Sequence, residues 1–170
     1  MLLLATAVVA VPPARAADGV SVWSQASPAT AVPSEALGDF TSLVFDKASG
    51  QLLRVGGTHG TWSWDGANWS QVAAAGTPPP RRAAIAAYDD ATGQVVVLGG
   101  FPESVPVTVS QLFDTWTWTG AAWTQQHPTV IPDVVDGCAG YDAVSGRLLM
   151  VGVGTAGQLS GWLWTGTDWI

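Results

Sequence analysis

The chain has 170 residues, which is enough for one domain but too few for two. Only 11% of the residues are charged, against about 25% in an average soluble domain, and 48% are hydrophobic, which favours a β-rich protein with few exposed helices. The formal net charge of −7 argues against a nucleic-acid partner, because such a partner requires a basic patch.

The beginning of the chain has the pattern of a secretory signal. Residues 1–11 are apolar apart from Thr6, and Ala14-Arg15-Ala16 has small residues at the spacing of a cleavage site. We therefore predict a signal peptide over residues 1–16, cleavage after Ala16 and a secreted or extracytoplasmic protein. The run is too short to span a bilayer, so no membrane span is expected after its removal. The alternative is an apolar strand of the domain.

Residues 17–39 are predicted to contain one outer strand and a loop. The tripeptide Trp-Ser-Gln at 23–25 matches the Trp-Ser-Gln at 69–71 and the Trp-Thr-Gln at 123–125. Residues 26–37 are rich in Pro, Ser and Ala, which favours a loop. The strand is expected to be left over from a repeating unit whose beginning is absent.

A short turn motif then occurs three times, as Phe-Asp or Tyr-Asp followed by Ser-Gly or Thr-Gly. The copies are at residues 45–50, 88–93 and 141–146. The Asp side chain is expected to cap the turn, and the Gly is expected to take the positive φ that ends it. Each turn should join a short strand of small residues to an apolar strand. The short strands are predicted at 41–44, 84–87 and 137–140, and the apolar strands at 51–57, 94–100 and 147–153.

A second motif, W-x-W-x-G-x-x-W, occurs at residues 62–69, 116–123 and 162–169. The first two tryptophans of each copy are two residues apart, which places both rings on one face of a strand. The glycine supplies a tight turn, and the third tryptophan follows on the returning strand. Each copy therefore predicts a tryptophan-rich β-hairpin.

Together the two motifs define a repeating unit of four strands. The units are predicted at residues 40–80, 81–133 and 134–170, and their last tryptophans, 69, 123 and 169, are about 50 residues apart. A period of this length that contains four strands is typical of a propeller, and in particular of a kelch-like one.

The unit at residues 81–128 shows the whole pattern most clearly. It has Tyr88-Asp89 and a Thr-Gly turn, an apolar strand to Gly99-Gly100, and then Asp114-Thr115-Trp116 with the remaining tryptophans. This pattern resembles the bacterial kelch-repeat proteins, which are related to the propeller domain of galactose oxidase. The resemblance covers almost everything after residue 38. It implies an all-β, kelch-like β-propeller with three four-stranded blades plus one extra N-terminal strand.

Three blades would make an incomplete propeller, because closed propellers have about 4 to 8. An open arc exposes strand edges and blade faces, which promotes association. Three explanations are open: a fragment of a longer reading frame, a homodimer whose two chains together complete a ring, or a degenerate gene product.

The residue types that often carry chemistry have structural explanations here. The tryptophans are expected to pack between blades, at roughly 4–6 kcal/mol for each fully buried ring before entropy costs, rather than to stack on sugars. Asp46, Asp89 and Asp142 are expected to cap turns rather than to bind calcium. His59 and His127 each stand alone, so exposed loops are expected rather than a metal site.

The resemblance to galactose oxidase does not extend to its copper site. That site uses Tyr and His ligands and a Tyr–Cys crosslink, whereas Tyr88 and Tyr141 both occupy the structural position of the turn motif. Cys138, the only cysteine, aligns with Ile85 and is predicted to be a small buried residue. We therefore expect no catalytic residue, no cofactor and no metal in this chain, and no internal disulfide.

The loop from Phe101 to Phe113 is the stretch least explained by the repeat. In kelch relatives the loop between the second and third strands often lines the binding face. The resemblance therefore implies a ligand or partner site that includes Phe101, Glu103, Gln111 and Phe113. The alternative is a tolerated surface insertion, because long loops cost little extra closure entropy.

These observations predict a secreted, non-catalytic binding or scaffold module for a protein or a glycan. One alternative is the propeller part of a secreted copper-radical oxidase or carbohydrate-active enzyme whose catalytic residues lie outside this chain. Another is a nonfunctional truncated product. Whether the whole protein is an enzyme is left open, although no catalytic constellation is visible.

Overall fold

The computed structural model describes residues 24–32, 41–103 and 111–170, and these residues form strands, turns and loops without a helix. The predicted signal peptide, its cleavage after Ala16 and most of the predicted extra strand lie outside the described residues. In the ranges that are described, no helix is long and apolar enough to cross a membrane.

In these described ranges the fold is all-β and consists of three antiparallel sheets, none of which closes on itself. The first sheet contains β1 (Ser42–Asp46), β2 (Gln51–Val55), β3 (Trp62–Trp64) and β4 (Trp69–Gln71) in chain order. The second contains β5 (Arg81–Arg82), β6 (Ile85–Asp89), β7 (Gln94–Pro102), β8 (Leu112–Trp118) and β9 (Trp123–Gln126). The third contains β10 (Asp136–Asp142), β11 (Arg147–Val153) and β12 (Leu159–Trp164).

The turn motif forms the same capped turn in all three sheets, as predicted. The Asp89 carboxylate accepts hydrogen bonds from the Ala91 N–H at 3.1 Å and the Thr92 hydroxyl at 2.7 Å, and the Gly93 N–H donates to the Asp89 carbonyl at 2.8 Å. Gly93 has φ of 69°, in the left-handed region. Asp46 and Asp142 make the corresponding contacts with the residues that follow them. These three aspartates therefore cap turns.

The tryptophan motif forms the predicted hairpin, with its second and third tryptophans paired across the strands. The ring centroids are 5.4 Å apart for Trp64–Trp69, 5.3 Å for Trp118–Trp123 and 5.0 Å for Trp164–Trp169. The rings are tilted by 41–49°, an arrangement that aromatic pairs favour over a face-to-face sandwich.

The sheets stack face to face, and the same two kinds of face meet each time. We call the face that carries the motif tryptophans the tryptophan face, and the other the opposite face. Val44, Leu53 and Val55, on the opposite face of the first sheet, pack against the tryptophan face of the second in one core cluster. The opposite face of the second sheet packs in the same way against the tryptophan face of the third, in a second cluster.

A hydrogen bond from the last tryptophan of the second and of the third hairpin fixes each of these two stacks. The Trp123 indole N–H donates to the Thr61 hydroxyl at 3.1 Å, and the Trp169 indole N–H donates to the Thr115 hydroxyl at 3.0 Å. Both threonines are buried and belong to the preceding sheet. The tryptophans of the second and third sheets are therefore packing residues, as predicted.

The segment that follows each outer strand also contacts the hairpin of the next sheet. The Trp123 N–H donates to the Ala75 carbonyl at 3.1 Å, and the Val130 N–H donates to the Asp168 carboxylate at 3.0 Å. Within residues 24–32, the Ala29 N–H donates to the Asn68 side chain at 2.8 Å. This segment thus meets the first sheet in the way that later segments meet the second and third.

The structure differs from the sequence-based predictions in several places. β7 runs to Pro102 and β8 begins at Leu112, so Phe101 and Phe113 lie in strands and the predicted loop is shorter. The third sheet has three strands, because its last tryptophan makes only an isolated bridge to Trp164. The second sheet gains β5, which pairs with the end of β7.

The prediction that Cys138 is buried is also wrong, because this residue is exposed. It pairs with Val151 on the opposite face of the third sheet. The aligned residue, Ile85, is partly buried because its face packs on the next sheet. No sheet in the described part of the chain covers Cys138 in this way.

Candidate functional site

Each sheet has two unlike ends, and only at one of them do the connections between strands differ in length from sheet to sheet. At the turn end lie the capped Asp turns and the tight turns of the tryptophan hairpins. At the loop end lie the starts of β1, β6 and β10, the ends of β2, β7 and β11, and the connections from these to the next strand. Four cavities line this loop end, which makes it the candidate binding region of the molecule.

The first of these cavities, the inner-strand pocket, lies where β1, β6 and β10 begin. β6 contacts both β1 and β10, so these three strands, which we call the innermost strands, are neighbours. The pocket has a volume of about 380 Å³ and is lined by Thr41, Ser42, Ala83, Ala84, Asp136 and Gly137. It offers hydroxyl groups, backbone groups and one exposed carboxylate, that of Asp136.

The backbone beside the inner-strand pocket is in an uncommon conformation. Ala83 has φ of 52°, which residues other than glycine adopt only rarely. Ala83 lies between β5 and β6. The carbonyl of the next residue, Ala84, accepts a hydrogen bond from the Ser42 hydroxyl of the first sheet. The strained residue therefore lies at a junction between two sheets and at the edge of a pocket, as strained residues at binding sites often do.

A second cavity, the Phe113 pocket, lies at the outer part of the second sheet. Its volume is about 310 Å³, and its lining includes Phe113, Gln125, His127 and Ile131. The pocket thus combines an amide and an imidazole with the apolar side chains of Phe113 and Ile131, which suits a ligand with both polar and apolar faces. A larger cavity of about 740 Å³ occupies the corresponding position in the first sheet, between residues 58–61 and 71–80.

The four residues predicted for the binding loop divide into two pairs. Phe101 and Phe113 lie at the loop end of neighbouring strands, and Phe113 lines a pocket. Glu103 and Gln111 instead make contacts within the protein. The Glu103 carboxylate is 3.8 Å from the Arg82 guanidinium, and the Gln111 amide donates to the Val134 carbonyl at 2.7 Å. The structure thus brings Phe113 to a cavity and uses Glu103 and Gln111 as anchors of the loop.

The strongest charge pair of the loop end joins Arg81 to Asp114. The guanidinium makes two parallel hydrogen bonds to the carboxylate, at 2.6 and 2.9 Å, and also donates to the Gly99 carbonyl at 3.0 Å. Burial would raise the pKa of the Asp114 carboxyl, but hydrogen bonds from Arg81 and the Trp116 indole outweigh burial and lower it. Arg81 is fully buried and fixes the base of the loops, whereas the side chain of Asp114 is 20% exposed and also lines the Phe113 pocket.

The Gly-Gly pairs at the ends of two apolar strands allow the chain to approach closely at this place. A Cβ atom on Gly56 would lie 2.8 Å from the Arg81 carbonyl oxygen, and one on Gly100 would lie 2.6 Å from that of Arg82. The Gly57 N–H also donates to the Arg81 carbonyl at 2.6 Å. Because these glycines lack a Cβ atom, the backbone of β5 can pass close to the end of β2 and to the end of β7.

The two histidines lie at the loop end. His59 and His127 are exposed, and the His59 ring lies 3.0 Å from the Thr58 hydroxyl. Among the residues that the structure describes, no three His, Cys, Asp or Glu side chains are grouped closely enough to hold a metal ion.

Sequence reasoning missed the inner-strand pocket, because its residues come from three separate units and none stands out by type. The positive φ of Ala83 had no signal in the sequence, since alanine seldom adopts it.

A scan against protein-family models found no match for this chain, and neither did a search of curated proteins.

Proposed function

We propose that the chain is a secreted, non-catalytic binding or scaffold module of the kelch type, in which the three sheets are consecutive propeller blades. The observation that carries this proposal is the repeated stacking, in which the tryptophan face of one sheet packs on the opposite face of the one before. Neighbouring innermost strands and an inner-strand pocket are what such a radial arrangement would produce.

The proposed site is the loop end, and its ligand is a protein or a glycan. The Phe113 pocket and the inner-strand pocket supply an aromatic ring, amides, an imidazole, hydroxyls and two carboxylates, those of Asp114 and Asp136. Because the net charge of the chain is −7, a neutral or cationic ligand is favoured over an anionic one.

The proposal of a non-catalytic role rests on how the chemically versatile side chains are used. Asp46, Asp89 and Asp142 cap turns, and Asp114 is paired with Arg81. A general acid or base would have to be within hydrogen-bond reach of a bound substrate, and these groups are already engaged in structure.

The test is a binding screen with variants at both ends of the sheets. The exported protein is screened on an array of neutral and charged glycans, and each binder is measured again with Phe113→Ala and Asp136→Asn at the loop end. Thr167→Ala, an exposed substitution at the turn end, is the control. We expect at least a tenfold loss of affinity for one loop-end variant and no change for the control. Loss of binding with Thr167→Ala alone, or chemical conversion of the bound glycan, would contradict the proposal.

A further inference from the structure

Two apolar sheet faces are exposed in the single chain, one at each end of the stack. On the tryptophan face of the first sheet, Leu43 is 58% exposed and Phe45 is 49% exposed. On the opposite face of the third sheet, Leu149 and Val151 are each 37% exposed, and Leu159 is 73% exposed. No sheet in the described ranges of the chain packs on either face.

The equivalent positions are covered wherever two sheets meet. Leu149 and Val151 correspond to Val96 and Leu98 of the second sheet, which are 2% and 3% exposed beneath the third. Phe45 corresponds to Tyr88, which packs against the core between the first two sheets. The exposed faces are thus the same two surfaces that join the sheets inside the chain.

We propose that these two faces bind each other between copies of this chain, so that the first sheet of one copy stacks on the third sheet of another. A tryptophan face meets an opposite face at both internal junctions, and the described residues of each copy leave one face of each kind unpaired. A second copy therefore presents the surface that each face accepts. This inference rests on the observed stacking of the sheets and, for closure into a ring, on the proposed propeller fold, but it is independent of the proposed ligand at the loop end.

The contact is head-to-tail, so it either closes into a ring or continues into a filament. The described residues of two chains contribute six sheets, which lies within the range of about four to eight sheets in closed propellers. We therefore expect a dimer held by two identical junctions.

One residue makes the contact between copies weaker than the internal junctions. Thr61 and Thr115 accept the indole hydrogen bonds at the two internal junctions, but the corresponding residue of the third sheet is Gly161. Trp69 is the tryptophan that would face Gly161 of the other copy, and there it would find no hydroxyl. A side chain at Gly161 has room, because an added Cβ atom would meet only the Met150 carbonyl oxygen, at 3.8 Å.

The first experiment measures the native mass of the full chain, expressed for export, by light scattering across a range of concentrations. We expect a dimer for the wild type and monomers for Leu43→Glu and for Val151→Glu, since a charge buried at either face opposes stacking. Val144→Glu, at a turn residue that is 97% exposed and lies outside both faces, should remain dimeric. Near-ultraviolet circular dichroism checks that each variant keeps its tryptophan packing.

Two further measurements separate this contact from other ways of associating. A mixture of the Leu43→Glu and Val151→Glu chains should form a 1:1 heterodimer, because one junction then contains neither substitution. Gly161→Thr should strengthen dimerisation about five- to hundredfold, because the dimer gains one hydrogen bond at each of its two junctions. A wild-type monomer at 100 µM, or a mixture that stays monomeric although each variant is folded, would overturn the proposal.

Discussion

The indole N–H of Trp123 donates a hydrogen bond of 3.1 Å to the hydroxyl of Thr61, a residue 62 positions earlier in the chain. The same relationship joins Trp169 to Thr115, at 3.0 Å. Both bonds are buried, and each crosses from one sheet to the sheet before it. The hairpin tryptophan therefore sets the lateral position of each sheet on its neighbour, in addition to filling the space between them.

Removing the hydroxyl of Thr61 should weaken the junction between the first two sheets. Thr61→Val leaves the Trp123 indole buried without an acceptor, which costs about 1–3 kcal/mol of unfolding free energy. Urea denaturation followed by tryptophan fluorescence measures this change. Thr61→Ser, which keeps the hydroxyl, should recover most of the loss.

A double-mutant cycle tests whether the loss belongs to this bond. Thr61→Val and Trp123→Phe together should cost less than the sum of the two single changes, by about 1 kcal/mol. Thr124→Val, at an exposed threonine of β9, is the control and should leave stability nearly unchanged. Strict additivity of Thr61→Val and Trp123→Phe would show that the bond contributes nothing.

Loss of a turn aspartate should destabilise the chain according to its burial. Asp89→Ala removes a buried acceptor of two hydrogen bonds, and we expect a cost of about 2 kcal/mol. Asp142→Ala should cost less, because water reaches that turn and replaces part of what is lost. Thermal unfolding with and without added calcium measures both effects, and a rise in Tm with calcium would contradict a purely capping role.

Asp114→Asn should destabilise the loop end strongly at neutral pH. The substitution leaves the buried Arg81 guanidinium without its carboxylate, and breaking a buried pair in this way costs about 3 kcal/mol. The unfolding free energy at pH 7 measures the loss. Asp136→Asn, at an exposed carboxylate, is the matched control and should change stability little.

The same pair should contribute to the acid sensitivity of the fold. Because the pKa of Asp114 is lowered on folding, its stabilising effect is complete above the unfolded pKa of about 3.9 and is lost as the pH falls through the folded pKa. Unfolding free energies measured from pH 6 down to pH 2 should therefore fall less steeply in Asp114→Asn than in the wild type. Parallel curves would show that Asp114 does not participate.

Gly100→Ala should disturb the junction of β5 with β7. Gly100 has φ of 92°, and a Cβ atom there would lie 2.6 Å from the Arg82 carbonyl oxygen and 3.0 Å from the Ala84 nitrogen. Gly66→Ala is the comparison, because Gly66 has a similar φ of 102° but open space around it. We expect about 1 kcal/mol for Gly66→Ala from backbone strain alone and a clearly larger loss for Gly100→Ala. Equal losses would mean that the close approach costs nothing.

The sequence predicted the strands and turns well because their determinants are local. Asp89 and Gly93 specify their turn through contacts within five residues, and the tryptophan spacing specifies a hairpin within eight. The stacking partners were beyond reach, because Thr61 and Trp123 meet only when two complete sheets have formed. The exposed position of Cys138 was missed for the same reason, since its burial depends on a neighbouring sheet and not on its own strand.

The candidate site was predicted only in part. The resemblance directed attention to the loop after β7, and Phe113 does line a cavity there. Glu103 and Gln111 looked available in the sequence, yet Arg82 and the Val134 carbonyl engage them. The inner-strand pocket is built at the beginnings of three strands, and no local pattern could have joined Ser42, Ala84 and Asp136, which are 42 and 52 positions apart.

The two ends of each sheet also differ in how freely their lengths change. The turn that the aspartate caps always has four residues after the aspartate, at 47–50, 90–93 and 143–146, whereas the next connection along the chain spans 56–61, 103–111 and 154–158. The packed faces are the same whatever these connections contain. Foreign peptides grafted into them would thus be displayed side by side on a common rim, which makes the fold a natural scaffold for multivalent presentation.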